Sequence, residues 1–144
     1  MIANKAIPCK LCDNWFVETK HFFLLQLDSS INNTDRSGRT ILFKVSGNGD
    51  VNAVTALIRA GADVNAKDNA GWSPLHEASL EGQLATATLL IQYGADVNAL
   101  GFENQTPLHD AVGSTHYDVV ELLLSHGASL TAVNKDGNTP LDEA

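Results

Sequence analysis

Three stretches of this sequence superpose on one another at a fixed spacing of 33 residues, without a gap. Asp63-Val64-Asn65-Ala66 returns as Asp96-Val97-Asn98-Ala99, and Gly61-Ala62 returns as Gly94-Ala95 and Gly127-Ala128. Ser73-Pro74-Leu75-His76 returns as Thr106-Pro107-Leu108-His109 and then as Thr139-Pro140-Leu141-Asp142. A fixed period of this length excludes most globular topologies. It marks a solenoid in which each unit buries its apolar face only against its neighbours.

Each part of the period has a mechanical reading. Ser73, Thr106 and Thr139 are placed to cap a helix, their hydroxyls accepting from the free N–H groups of the first turn. Proline follows at the first helical position, where a missing N–H costs nothing. Leu75 and Ala78, like Leu108 and Ala111, lie three apart on one face of a short helix. A second helix follows, with Leu89-Leu90-Ile91 and Leu122-Leu123-Leu124 as its expected buried stretch. Gly61, Gly94 and Gly127 then supply left-handed C-caps. About ten residues of Asp, Asn and Gly chemistry complete each unit as a hairpin-like turn projecting to one side.

These residues resemble ankyrin repeats, whose signature runs Gly-x-Thr-Pro-Leu-His-x-Ala and ends in Gly-Ala-Asp-Val-Asn. The resemblance covers 35–67, 68–100 and 101–133 in full, with the start of a fourth repeat at 134–144. Carried backward, the period places Ile7-Pro8-Cys9 on Thr-Pro-Leu, so 1–34 reads as a degenerate, aromatic-rich capping repeat. The implied fold is an all-α ankyrin-repeat solenoid of helix-turn-helix units with projecting hairpin loops. Two departures stand out. Ile41, Phe43 and Val45 replace Pro, His and Ala in the first full repeat, making that helix more apolar. Thr115 stands where Gly49 and Gly82 form the inter-helix turn, which predicts a turn either strained or differently shaped.

Hydrophobic content of 44% and charged content of 18% supply a core and exclude wholesale disorder. A net charge of −8 argues against direct nucleic-acid binding. Between Asp68 and Asn134 there is no lysine or arginine, while Asp68, Glu77, Glu81, Asp96, Glu103, Asp110, Asp118 and Glu121 all fall there. A one-sign run of this kind predicts a field aimed at a basic partner; the alternative is a merely soluble acidic surface. Phe22-Phe23-Leu24-Leu25 is too short to span a bilayer, so no membrane partner is expected. No apolar leader follows the N-terminus, and an intracellular protein, nuclear or cytoplasmic, is expected. The chain stops within what should be a first helix, which reads as a short cap or, preferentially, as a fragment of something longer; a monomer or part of a larger chain is expected.

Candidate chemistry is sparse. Cys9-x-x-Cys12 could begin a zinc site, yet zinc needs four ligands and only His21 is near. The period puts both cysteines at core positions, and buried packing is the expectation. His76 and His109 fall on the ankyrin signature histidine, which the resemblance makes a hydrogen-bonded bridge between loops. No nucleophile recurs beside them. Gly47-Asn48-Gly49 lacks the context of a phosphate cradle. An enzyme is not expected, nor a cofactor or a metal.

Trp72 fills a slot held by Arg39, Gln105 and Asn138 in the other repeats, and the resemblance puts that slot on the concave face. A tryptophan there is a candidate binding anchor, the alternative being packing against a neighbouring loop. The run Asp68 to Ala78, with Thr106 to Ala111 one period on, resembles the ankyrin domains that read the unmethylated histone H4 tail, of the Tonsoku-like type. That resemblance implies that the Trp72 ring packs on the peptide. It implies further that Glu77 and Asp110 bind a lysine ammonium, with Asp68 and His76 matching. Leu80 replaces the group's asparagine and removes one polar contact. The expected peptide-binding set is therefore Trp72, Glu77, Asp110, Asp68, His76, Leu80, Glu81 and Phe102. Its partner would be a protein with a Lys/Arg-rich segment; a generic scaffold using loop tips such as Phe102 and Glu103 is the alternative. Asn65 and Asn98 sit in a context resembling that favoured by asparaginyl hydroxylase, and are read as loop residues bonding their own hairpins.

Overall fold

The computed structural model describes residues 30–144, and the cysteine pair and most of the expected capping repeat at 1–34 lie outside them. Six α-helices follow one another in pairs: α1 Ile41–Asn48 and α2 Val51–Arg59, α3 Pro74–Glu81 and α4 Leu84–Gln92, α5 Pro107–Gly113 and α6 Tyr117–Ser125. Two single 3₁₀ turns complete the order, Phe102–Asn104 and Pro140–Glu143. The described residues contain no strand, and the fold is an all-α repeat solenoid.

The helix starts follow from their caps. Ser73 Oγ accepts from the His76 backbone N–H, and the His76 ring closes the loop by accepting the Ser73 N–H at Nδ1, 3.1 Å away. Thr106 and His109 repeat the arrangement at the same 3.1 Å. Nδ1 is therefore an acceptor, the proton sits on Nε2, and Nε2–H donates to the next loop: His76 to Gln105 O and His109 to Asn138 O, both at 3.0 Å. The histidines are fully built into the frame. In the last unit the Asp142 carboxylate does the same work, taking the Thr139 N–H at 2.8 Å over a 3₁₀ turn rather than an α-helix. Phe43 cannot bridge in this way, and its buried ring lies instead under the Arg39 guanidinium, 4.9 Å from the centroid.

The core is a pair of columns. Leu42, Leu75 and Leu108 stack along the first helices, and Leu57, Leu90 and Leu123 along the second, all essentially without exposure. Ala78 and Ala111, fully buried, let the first helices pack directly on one another. The expected buried runs are narrower than a leucine triplet. Leu89, Ile91 and Leu122 are only partly buried and Leu124 faces outward, because a period of 3.6 cannot turn three successive residues to one side.

The turns correct a second expectation. The Asn65 backbone N–H donates within its own hairpin, to Asp63 Oδ1, but its side chain does not: Nδ2 donates to Gly94 O at 3.0 Å and Oδ1 accepts from Asp96 N at 2.9 Å, both one unit on. Asn32 and Asn98 make the equivalent pairs with Gly61 and Asp63, and with Gly127 and Ser129. A two-handed amide thus ties each unit to the next. No described helix is long and apolar enough to cross a membrane.

Candidate functional site

The residue before each cap and the fourth residue of the helix behind it lie close together at a helix entrance. The last unit shows this directly, since Asn138 Nδ2 donates to Glu143 Oε1 at 3.2 Å. The 33-residue frame makes each of these positions a row. One row reads Arg39, Trp72, Gln105, Asn138 and the other Lys44, Glu77, Asp110, Glu143. A cleft of about 220 Å³ opens along them, lined by Arg39, Trp72, His76, Glu77, Leu80 and Asp110. At about 30 Å³ of liquid volume per water, that space suits a single long side chain.

Trp72 forms one wall. Its ring meets the His76 ring edge-on, with centroids 5.1 Å apart and planes at 74°. It also lies flat enough on the next loop that a Cβ built at Gly101 would come within 2.8 Å of its ring carbon Cε3. Gly101 has an ordinary extended backbone, so glycine stands there for space and not for conformation. The tryptophan is thus both packed on a neighbouring loop and presented to the cleft. Leu80, 46% exposed, is the opposite apolar wall.

Two acids, Glu77 and Asp110, share the lining. Asp110 Oδ2 is buried with no hydrogen-bond partner among the described residues. Burial, and then the charge of Glu77, push its carboxyl up to about 8. Glu77 is also raised, first by partial burial, then by Glu81 and Asp68, with Arg39 working against them. Two acids that cannot easily ionise together, in a space without a lysine, form a site whose charge is incomplete when it is empty. His76 shares the lining, and burial holds its imidazole down at about 4.

Trp72, His76, Glu77, Leu80 and Asp110 are therefore brought together, and three other expected site residues are not in the lining. Asp68 is buried and spent on the loop: its Oδ1 accepts from Ala70 N and Trp72 N, each at 2.9 Å, and its Oδ2 pairs with Arg39 at 3.4 Å. It positions the tryptophan. Glu81 is exposed at the end of α3, and Phe102 stands 53% exposed on its 3₁₀ turn. Arg39 was missed as a member of the lining and Gly101 as the residue under the Trp72 ring, although the columns of the repeat hold both.

Family models for ankyrin repeats match the chain in two places, one of three copies over residues 16–101 and one of many copies over residues 90–144. The chain belongs to the ankyrin-repeat family. No curated protein matches it. Ankyrin repeats are protein–protein interaction modules, generally binding other proteins, and proteins built from them are typically non-enzymatic scaffolds.

Proposed function

We propose that this ankyrin domain binds a basic segment of a partner protein by admitting one of its cationic side chains to the Trp72 cleft. The observation that carries this reading is the buried, unpartnered Oδ2 of Asp110 beside the Glu77 carboxyl. A buried acceptor without a donor is costly, and a cationic N–H supplies what it lacks. Trp72 and Leu80 flank the aliphatic stem, while Glu77 and Asp110 take the charged head. Because both acids are needed, Glu77→Gln and Asp110→Asn each lower affinity at least tenfold, and binding weakens steeply with salt.

The narrower form of the proposal, resting on the sequence resemblance, makes the segment an unmethylated histone H4 tail. A free ammonium has three N–H donors to share between two carboxyl groups, and each methyl group removes one, leaving dimethyl-lysine a single donor. Titration with an H4-tail peptide, unmethylated and dimethylated, tests it. Tighter binding of the unmethylated peptide is expected. Equal or absent binding of both sinks the histone form, and indifference to Glu77→Gln sinks the cleft.

The exposed Phe102 favours a second reading, in which the loop tip docks on a folded partner. Under it Phe102→Ala abolishes binding and Asp110→Asn leaves it unchanged.

A further inference from the structure

Two buried acceptors at one helix entrance have no donor among the described residues: Asp110 Oδ2 and Gln105 Oε1. They occupy the positions whose counterparts one unit on, Asn138 and Glu143, are joined by a hydrogen bond of 3.2 Å. That shared register turns the two oxygens toward one another, and two facing acceptors repel unless a proton stands between them. One proton on the carboxyl satisfies both, since a carboxylic acid donates where a carboxylate only accepts. We propose that the resting cleft holds Asp110 as a neutral acid hydrogen-bonded to Gln105, and that a bound cation replaces this proton. The second half rests on the cation-binding reading above; the first half does not.

The charged groups around Asp110 point the same way. On α3, packed against it, Glu77 lines the same cleft and Glu81 stands exposed one turn further. On the other side the Pro140–Glu143 turn puts Glu143 in the same register, its carboxylate held by Asn134 and Asn138. Behind it α6 carries Asp118 and Glu121. His76 has both ring nitrogens committed to the frame. The cations nearby are occupied: Arg39 pairs with Asp68 and Lys44 with Asp35. Asp110 is the middle one of three acids in its row, and the raised position of its titration agrees with that placement.

The exchange balances simply. In the empty cleft Glu77 carries one negative charge and Asp110 none. When an ammonium enters with its own N–H bonds intact, the Asp110 O–H bond ionises and its proton passes to solvent. The bound cleft then holds two carboxylates and one cation, and Gln105 turns its amide N–H₂ toward the new carboxylate. Affinity therefore rises with pH, by up to tenfold per unit while Asp110 remains protonated in the free protein. Basic segments are held more loosely in acid.

The test begins without ligand. In protein labelled with ¹³C at aspartate carboxyls, the resonance lost in Asp110→Asn should titrate far above the ordinary carboxylate range. Gln105→Leu, which removes the acceptor for the acid's proton, should lower that midpoint. An Asp110 that titrates in the ordinary range overturns the proposal whatever the chain binds. A Gln105→Leu midpoint that rises or stays overturns the shared proton. The second step adds an acetylated, amidated Gly-Lys repeat peptide and follows binding by calorimetry at neutral pH in buffers of different ionisation enthalpy. Release of about one proton per peptide is expected, abolished in Asp110→Asn. A peptide that binds with the Asp110 titration unmoved overturns the exchange and leaves the cleft. A peptide that does not bind at any pH removes the cation-binding reading and the exchange together.

Discussion

The unit built on α3–α4 and the unit built on α5–α6 use the same leucines, alanines and histidines, yet the second is strained where the first is relaxed. In the leading loop of the first, Asp68 gathers two backbone N–H groups and an arginine. In the second the corresponding residue is Gly101, which has nothing to gather with, and Glu103 and Asn104 take left-handed backbone at φ 57° and 64°. At the inter-helix turn Gly82 sits at φ 72°, as an achiral residue can, while Thr115 is held at 60°. The difference has a steric logic. A side chain at Gly82 would collide with the His116 ring, and one at Gly49 with the Gln83 amide. Thr115 is exposed, so threonine fits the space there although its backbone does not favour the angle. The same frame therefore tolerates a poor residue wherever only one of two demands is made on it.

The largest test of this contrast is at Gly101. Gly101→Asp gives the second loop the leading aspartate of the first but drives Cβ into the Trp72 ring, and should cost about 3 kcal/mol in urea unfolding. Paired with Trp72→Gln it should cost less, since the ring makes the tightest contact, while His76 Nε2 at 3.1 Å from the new Cβ remains in both variants. Equal losses in the single and double variants would mean that glycine serves something other than the tryptophan.

Next comes the pH dependence of stability, which separates Asp110 from Glu77. Asp110 is raised in the folded state, so its contribution is present at low pH and is lost as pH climbs toward about 8. His76 is depressed, so its contribution is present above its ordinary value and is lost as pH falls toward about 4. Below pH 6.5 the two slopes oppose each other; above it His76 no longer acts and the slope is that of Asp110. Stability should fall between pH 6.5 and 8 by about 1 kcal/mol per pH unit, and Asp110→Asn should flatten the decline. The smallest effect is at Thr115, where Thr115→Gly should stabilise by about 1 kcal/mol in the same unfolding assay. A loss instead would show that the turn is not strained.

The helices, their caps and the stacking columns were legible because a repeat shows each position several times and local chemistry fixes it. Ser73 and Thr106 announce their helices in any context. Trp72 was legible as the odd member of its row, but not the glycine beneath it, because that contact joins residues 29 apart in sequence. The burial of the Asp110 carboxyl was hidden for a similar reason. An aspartate next to a capped helix reads as an ordinary surface charge until the neighbouring units bury it. The asparagines were misassigned because a hairpin offers local partners, and nothing local reveals that better-placed ones lie in the next unit.

Those asparagines have a mechanical consequence. Asn32, Asn65 and Asn98 are rungs, each gripping the following unit with one donor and one acceptor. Tension applied along the stack must break them one at a time, and a broken rung relieves none of the others. The domain should therefore yield under a pulling force in discrete, roughly equal steps from an end. Converting one amide to a carboxylate, which keeps the acceptor and deletes the donor, would choose where the first step occurs.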